Sequence, residues 1–295
     1  MPQAPGDEFY GRVKMRLKFW GTRGSIPVPG IDTILFGGNT TCLEVTLDSG
    51  KKVIIDAGTG IKSLGDKLVE EKKEVDIHLL MTHIHWDHIL GFPFFAPIYN
   101  RSSRILIDGY QTCMKGLRNT FDTKMGDGFF PVKFDDLRAE IRYLEKLRHG
   151  TLEIDGLMVD SINLNHPQGG YGFRFRENGK TLVFITDNEL REDGRRGKLM
   201  KDYVSFCNEA DILIHDAQYT PEEIDERRDW GHSDYRSTVE LAYRASVKEL
   251  ILFHHDPSRK DQEITTIKSN CEELARKKDS ALIVKAAQER GELSL

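Results

Sequence analysis

Ile77-His78-Leu79-Leu80-Met81-Thr82-His83-Ile84-His85-Trp86-Asp87-His88 is the stretch whose reading decides the fold: a short apolar run that ends in three histidines and an aspartate within six residues. Residues 76 to 82 read as a buried strand, and residues two apart at a strand end point the same way, so His83 and His85 can address one ion. A turn into a helix at Asp87 swings that carboxylate and His88 toward a second. Borderline divalent metals take imidazole nitrogen at about 2.0 to 2.1 Å, accept carboxylate, and keep a position open for water. A lone histidine is usually a core residue with a satisfied partner, but three with an aspartate at this spacing fit that account poorly.

The cluster is half of a two-metal site, and the ends of later strands offer the remainder. His166 closes the run Met158 to Asn165. Asp187 follows Thr181 to Thr186, the return arm of a hairpin turning at Asn178-Gly179. His254 follows Glu249-Leu250-Ile251-Leu252-Phe253. Singly, a strand-end aspartate is often a helix cap and a strand-end histidine a surface residue. Together, seven such residues at strand ends are hard to explain as structure alone.

Around these positions the chain reads as two similar halves. Strands are expected at 15 to 20, 42 to 47, 52 to 56 and 76 to 82, with a helix placing Ile61, Leu64 and Leu68 on one face, and a strand-helix pair from Arg104 to Phe121. The second half repeats the logic with strands near 157 to 164, 171 to 176, 181 to 186, 211 to 215 and 249 to 253, and helices near 194 to 208, 233 to 246 and 261 to 277. Strands in runs flanked by helices suit two sheets packed face to face with helices outside. Residues 111 to 150 are the least orderly part, with a turn at Gly126-Asp127-Gly128, the apolar Phe129-Phe130-Pro131-Val132 and an amphipathic stretch around Leu137, Ile141 and Leu144. They read as a lid or insertion, or as a contact in a homodimer.

The ordered set of motifs resembles the metallo-β-lactamase-fold hydrolases, in their phosphodiesterase branch, along nearly the whole chain. It comprises Phe19-Trp20-Gly21-Thr22-Arg23-Gly24-Ser25-Ile26-Pro27, Phe36-Gly37-Gly38-Asn39-Thr40-Thr41-Cys42, Ile55-Asp56-Ala57-Gly58-Thr59-Gly60, the histidine cluster, His166, Thr186-Asp187, Ile214-His215-Asp216-Ala217, Gly231-His232-Ser233 and Leu252-Phe253-His254. The resemblance implies an α/β fold, the αββα four-layer sandwich, with the metals at the edge between the sheets and residues 1 to 295 forming one domain behind a flexible lead of residues 1 to 14. It implies that His83, His85 and His166 hold one metal, that Asp87, His88 and His254 hold the other, and that Asp187 bridges them. Gly231-His232-Ser233 is similar to an element of the tRNA 3′-end processing ribonucleases and their cyclic-phosphodiesterase relatives, where such a histidine contacts the scissile phosphate. The competing role for His232 is simply to precede a helix capped by Ser233. After His254 come His255-Asp256-Pro257, unlike the ribonuclease pattern, and strand alternation allows only one of His254 and His255 to face the site.

Other positions carry paired readings. Asp56 either orients a metal-binding imidazole from behind or caps a turn. Ser25, Asn39 and Thr40 lie on glycine-rich loops that reach a phosphate or serve as ordinary turn residues. Arg23 is a phosphate clamp or a solvated loop charge. His215 and Asp216 end an apolar strand outside a ligand set that is already complete; His78 reads as core and His149 as surface.

Composition excludes several classes. The 295 residues are 39% hydrophobic and 30% charged, enough for an ample core, and the net charge of −5 implies no broad basic surface for nucleic acid. Cys42, Cys113, Cys207 and Cys271 lie far apart with no CxxC spacing, which argues against a disulfide framework and a thiolate metal knuckle. Residues 1 to 14 have no apolar core of a secretory signal, and no run of eighteen apolar residues occurs, so a cytoplasmic protein without a membrane segment is expected.

The function implied is metal-assisted hydrolysis of a 3′,5′-cyclic nucleotide or another small phosphodiester. Two divalent ions, zinc first with manganese or iron as alternatives, would share a hydroxide; Asp87 and Asp187 would steer it and His232 would stabilise or protonate the departing alkoxide. The alternatives are tRNA 3′-end processing, thioester or lactone hydrolysis, a flavin-linked di-iron reductase for which the chain has no second domain, and a degenerate binding protein.

Overall fold

A computed structural model describes residues 15–71, 74–128, 130–193, 197–278 and 281–295. The expected lead of residues 1 to 14 lies outside them. The first half contains β1 (Arg16–Gly21), β2 (Cys42–Thr46), β3 (Lys52–Ile55), α1 (Ile61–Glu70), β4 (Asp76–Met81), α2 (Trp86–Ile89), β5 (Arg104–Gly109), α3 (Gln111–Lys124) and β6 (Glu140–Tyr143). The second half contains β7 (Leu152–Ile154), β8 (Leu157–Asn163), β9 (Tyr171–Glu177), β10 (Lys180–Ile185), α4 (Met200–Cys207), β11 (Ile212–Asp216), α5 (Tyr235–Arg244), β12 (Glu249–Phe253), α6 (Asp261–Lys277), β13 (Ile283–Ala286) and β14 (Glu292–Ser294).

Two seven-stranded sheets result, ordered β14-β1-β2-β3-β4-β5-β6 and β13-β12-β11-β10-β9-β8-β7. The period-two alternation of each strand divides its side chains between two cores. Val53 and Ile55 of β3, Phe184 of β10, Ile214 of β11 and Phe253 of β12 meet between the sheets. Ile54 and Leu79 turn outward, against Ile61 and Leu64 of α1 and Leu117 and Phe121 of α3. Val183, Leu213 and Leu252 turn outward on the other side, against Tyr203 of α4, Val239 of α5 and Cys271 of α6. The layers are therefore helix, sheet, sheet, helix, the αββα sandwich expected from the sequence.

Local chemistry explains the turns. Asn178 and Gly179 have φ of 49° and 76°, so both central residues of the β9–β10 hairpin take the positive φ of a tight turn that matches strand twist. α5 is capped by Asp234, whose Oδ1 accepts from the N–H of Arg236 and Ser237 at 2.9 and 3.1 Å. Ser233 is therefore not the cap; its hydroxyl donates to the carbonyl of Asn188 at 2.6 Å. α4 begins at Met200, later than the expected 194, and residues 194 to 196 fall outside the described set.

Much of the stretch 111 to 150 is framework rather than lid. α3 sinks Met114, Leu117 and Phe121 into the outer core, and Gly116 lies so close to the side chain of Ile84 that a Cβ there would overlap it. β6 extends the first sheet by pairing parallel to β5. Among the described residues of the stretch, 125 to 128, 130 to 139 and 144 to 150 lack strand and α-helix, apart from 3-10 turns at Phe134–Asp136 and Leu147–His149. Short edge strands β6, β7, β13 and β14 were not anticipated, since three or four residues carry too little alternation to read.

What positions the site is strand direction. β3, β4 and β5 run parallel, as do β10, β11 and β12. Their C-terminal ends deliver Asp56, His83, Asp187, Asp216 and His254 to one edge of the sandwich.

Candidate metal centre

The strand-end residues converge in two overlapping groups. In one, ligand atoms of His83, His85, His166 and Asp187 all lie within 4.8 Å of one another; in the other, those of Asp87, His88, Asp187 and His254 do. Asp187 belongs to both. Its Oδ1 is 3.4 Å from Nε2 of His88 and 3.2 Å from Nε2 of His254, while its Oδ2 is 3.6 Å from Nε2 of His83. Oδ2 of Asp87 lies 3.4 Å from Nε2 of His88 and 3.1 Å from Nε2 of His254.

Each imidazole is held from behind. Nδ1 of His88 donates to Oδ2 of Asp56 at 2.8 Å, so Asp56 has the orienting role rather than that of a turn cap. Asp56 also accepts from the backbone N–H and hydroxyl of Thr82, and that hydroxyl oxygen accepts from Nδ1 of His83 at 3.1 Å. Nδ1 of His166 donates to the carbonyl of Gly231 at 3.1 Å, Nδ1 of His254 to Oε1 of Gln218 at 2.9 Å, and Nε2 of His85 to Oε1 of Gln168 at 2.7 Å.

These outer bonds settle which nitrogens carry lone pairs. A carbonyl only accepts, so His166 is protonated on Nδ1 and its Nε2 faces Nδ1 of His85 at 3.0 Å with a lone pair on each side. Nε2 of His83 and of His88 are buried with no hydrogen-bond partner. Lone pairs aimed at one another and at two carboxylates repel unless a cation lies among them, so the donor set fits two divalent ions.

Charge in the cluster follows the same logic. Burial opposes ionisation of Asp187, yet His254, His88 and His83 hold its carboxyl well below the usual range. Burial would lower His88, but Asp87, Asp187 and Asp56 raise it well above its ordinary value. A proton or a metal satisfies that nitrogen; the two compete.

The backbone is strained where the ligands leave their strands. Asp56, Asp187 and His254 have φ of 60°, 56° and 53°, a left-handed conformation uncommon for residues other than glycine and characteristic of functional sites. Ser25, at φ 64°, joins them, and its N–H donates to Oδ2 of Asp87 at 2.7 Å.

His232 sits beside the cluster. Its ring stacks on His254 with centroids 5.1 Å apart, and its buried Nδ1 is 4.0 Å from Asp187 and 3.8 Å from Asp216 without a hydrogen-bond partner. Burial drives its pKa down to about 3, so the ring is neutral. A recess of about 340 Å³ opens next to it, lined in part by Arg191, Arg228 and Ser237, and another of about 230 Å³ opens next to His166.

Other expected residues lie elsewhere. Arg23 is fully buried, and its guanidinium donates to the carbonyls of Gly37, Asp256 and Arg259 at 2.7, 3.1 and 2.7 Å; it ties loops together and is not placed to clamp a phosphate. Asn39 bonds Glu289 and Thr59, and Thr40 bonds Thr59, so both act as loop fasteners rather than as substrate contacts. Of the four loop residues, Ser25 alone reaches the cluster. His255 turns away and donates to the carbonyl of Ala287 at 3.0 Å, which leaves His254 facing the site. Gln168, Gln218, Gly24 and the Gly231 carbonyl join the site without a role expected from the sequence, and Asp216, outside the ligand set, supports it. Its buried carboxylate accepts from the N–H of Ser233 at 2.8 Å and of Asn188 at 3.2 Å, anchoring the loop that bears His232. Asp216 stands at a strand end, and Gly24 and Gly231 lie within motifs that mark the resemblance; Gln168 and Gln218 carry no sequence signal.

Comparison with known proteins agrees with this geometry. Residues 51–255 match the model of the "Beta-lactamase superfamily domain". Ribonuclease Z of Archaeoglobus fulgidus is 26% identical over 287 residues, an alignment covering 81% of this chain and 86% of that one. Among solved structures, the metallo-beta-lactamase fold protein YhfI from Bacillus subtilis superposes with a TM-score of 0.72 at 15% identity, over 96% of this chain and 100% of that one. Unliganded yeast PDE1 does so with a TM-score of 0.69 at 14% identity, again over 96% and 100%. Among the described residues, no helix is long and apolar enough to cross a membrane.

Proposed function

The chain belongs to the beta-lactamase superfamily, and from that footing we propose that this metal-dependent hydrolase is a phosphodiesterase acting on a 3′,5′-cyclic nucleotide or another small phosphodiester. The observation that carries the reading is a neutral imidazole, His232, stacked beside two donor groups that share Asp187. His83, His85 and His166 would hold one divalent ion and Asp87, His88 and His254 the other, with zinc first and manganese or iron as alternatives. When bound, the ions would supply Lewis acidity toward the phosphoryl oxygens and make hydroxide available near neutral pH.

The chain's own groups do the remainder. Asp56, Gln168, Gln218 and the Gly231 carbonyl keep each ring in one tautomer and orientation, so no reorganisation is needed when substrate arrives. Asp87, steadied by the N–H of Ser25, orients the attacking oxygen toward phosphorus. His232, neutral, donates its N–H as a hydrogen bond to the phosphoryl oxygen or to the negative charge developing on the leaving alkoxide. Residues 1 to 295 would form one catalytic domain, with the loops within 111 to 150 as its lid or its contact with a second copy.

A second reading, tRNA 3′-end processing, is favoured by the ribonuclease Z relatives. The net charge of −5 and the His255-Asp256-Pro257 ending favour the small substrate. The test is turnover of 3′,5′-cyclic AMP, bis(p-nitrophenyl) phosphate and precursor tRNA by purified protein whose metals per chain are counted by mass spectrometry. Cyclic-nucleotide turnover with two metals supports the proposal; tRNA cleavage alone transfers it to the second reading, and activity on thioesters or lactones alone removes both.

A further inference from the structure

Two of the three tryptophans stand in solvent: Trp86 is 68% exposed and Trp230 60%. Trp20, by contrast, is 5% exposed, and its indole N–H donates to Glu44 at 2.8 Å. Both exposed indoles are rooted at the metal centre. Trp86 directly follows His85, whose Nδ1 lies 3.0 Å from Nε2 of His166; Trp230 directly precedes Gly231, whose carbonyl accepts from Nδ1 of the same imidazole at 3.1 Å. Consecutive Cα atoms are about 3.8 Å apart, so the two indoles leave the backbone one residue from groups that touch the two nitrogens of His166.

Folding does not explain their position. Trp86 is the outward residue of α2, whose Asp87, His88 and Ile89 are all buried. An indole left in water forgoes apolar burial, and a wide rigid ring near a site is a common recognition anchor. Ile26, also exposed at 57%, follows the Ser25 whose N–H holds Asp87. Two exposed aromatic rings so close along the chain to the groups that hold His166 suit a flat group of a substrate whose phosphoryl group is at the metal centre, and in a phosphodiester such a group is a nucleobase. Stacking is tolerant of base identity because every base presents a π-face.

We propose that Trp86 and Trp230 form a stacking platform for the nucleobase of the substrate, which makes the substrate a nucleoside phosphodiester. The proposal rests on the phosphodiesterase reading above. It predicts that base-free diesters are poor substrates and that discrimination among bases is weak.

The experiment pairs kinetics with a binding readout that needs no turnover. Trp86→Ala and Trp230→Ala should each raise KM for 3′,5′-cyclic AMP about tenfold, the scale of one lost base stack. Each should leave metal content and the low activity on base-free ribose 3′,5′-cyclic phosphate unchanged, and Trp→Phe should restore most of the affinity. Adenosine 5′-monophosphate should quench tryptophan fluorescence of the metal-loaded protein, with less quenching in Trp86→Phe and Trp230→Phe; ribose 5-phosphate should not. A short RNA with a 3′ extension separates sources: if the tryptophans matter for its cleavage and the mononucleotide diester is inert, the base belongs to a polynucleotide end. Equal losses on base-bearing and base-free diesters, or no quenching by the nucleotide, overturn the stacking role while hydrolysis of diesters stands. Nucleotide quenching without hydrolysis of any diester leaves the platform in place and overturns the phosphodiesterase reading.

Discussion

Gly24 packs its Cα against the imidazole of His254 so closely that a Cβ at position 24 would overlap Nδ1 and Cε1 of the ring. The loop is pinned there from both sides, since the N–H of Gly24 donates to the carbonyl of His255 at 3.0 Å and the N–H of His255 donates to the carbonyl of Thr22 at 3.0 Å. Gly24→Ala should therefore displace His254 and lower metal at the Asp87, His88 and His254 group while circular dichroism stays that of the folded protein. We expect about one metal lost per chain and a drop in activity of tenfold or more, from a shifted ligand. Two metals per chain and full activity in this variant would falsify the packing argument.

His254 and His255 are neighbours with opposite roles. His254→Ala, like His83→Ala and Asp187→Ala, should lower metal content and abolish hydrolysis, because water does not replace a positioned ligand. His255→Ala should keep both metals and lose stability instead, about 2 to 3 kcal/mol for a buried hydrogen bond and a cavity. Metal analysis beside denaturant unfolding distinguishes them, and metal lost only from the His255 variant would reverse the assignment.

For His232 the discriminating measurement is leaving-group dependence. His232→Ala should retain its metals and cut kcat on a cyclic nucleotide roughly 100-fold, the scale of a lost oxyanion donor. The defect should shrink with p-nitrophenolate, whose delocalised charge needs little help from a hydrogen-bond donor. Since Asp234 caps the following helix, the melting temperature should change little. Near-wild-type kcat on both substrates in the fully metallated variant would rule the role out.

Arg23 gives a stability prediction. With three carbonyls bound to one buried guanidinium, Arg23→Lys leaves acceptors unpaired and should cost about 3 kcal/mol or more. KM of the folded fraction should not move. A raised KM with an unchanged unfolding midpoint would restore the phosphate-clamp reading.

His78 gives the pH dependence. Burial first, then the Lys51 charge, push its pKa down to about 4 from 6.5. The unfolded chain therefore binds the extra proton between those values, and stability is lost as pH falls from 6.5 toward 4. His78→Gln should flatten the decline in melting temperature between pH 7 and 5, and an unchanged slope would show that His78 does not contribute.

The amino-acid sequence by itself determined the αββα layering and the main metal-ligand candidates, because both are local patterns. Period-two alternation sends Ile54 and Ile55 to opposite faces of a single strand, and spacing at a strand end aims His83 and His85 together. What only the tertiary structure decided is which polar group answers which. Gln168 meets His85 across 83 residues, Gln218 meets His254 across 36, and the carbonyls that claim Arg23 come partly from more than 230 residues away. Such partnerships have no periodicity. They are set by which loops the parallel strands deliver to the same edge, where each buried donor must find an acceptor, so a loop arginine that suits a phosphate becomes a fastener and a loop glycine becomes the seat of a metal-binding imidazole.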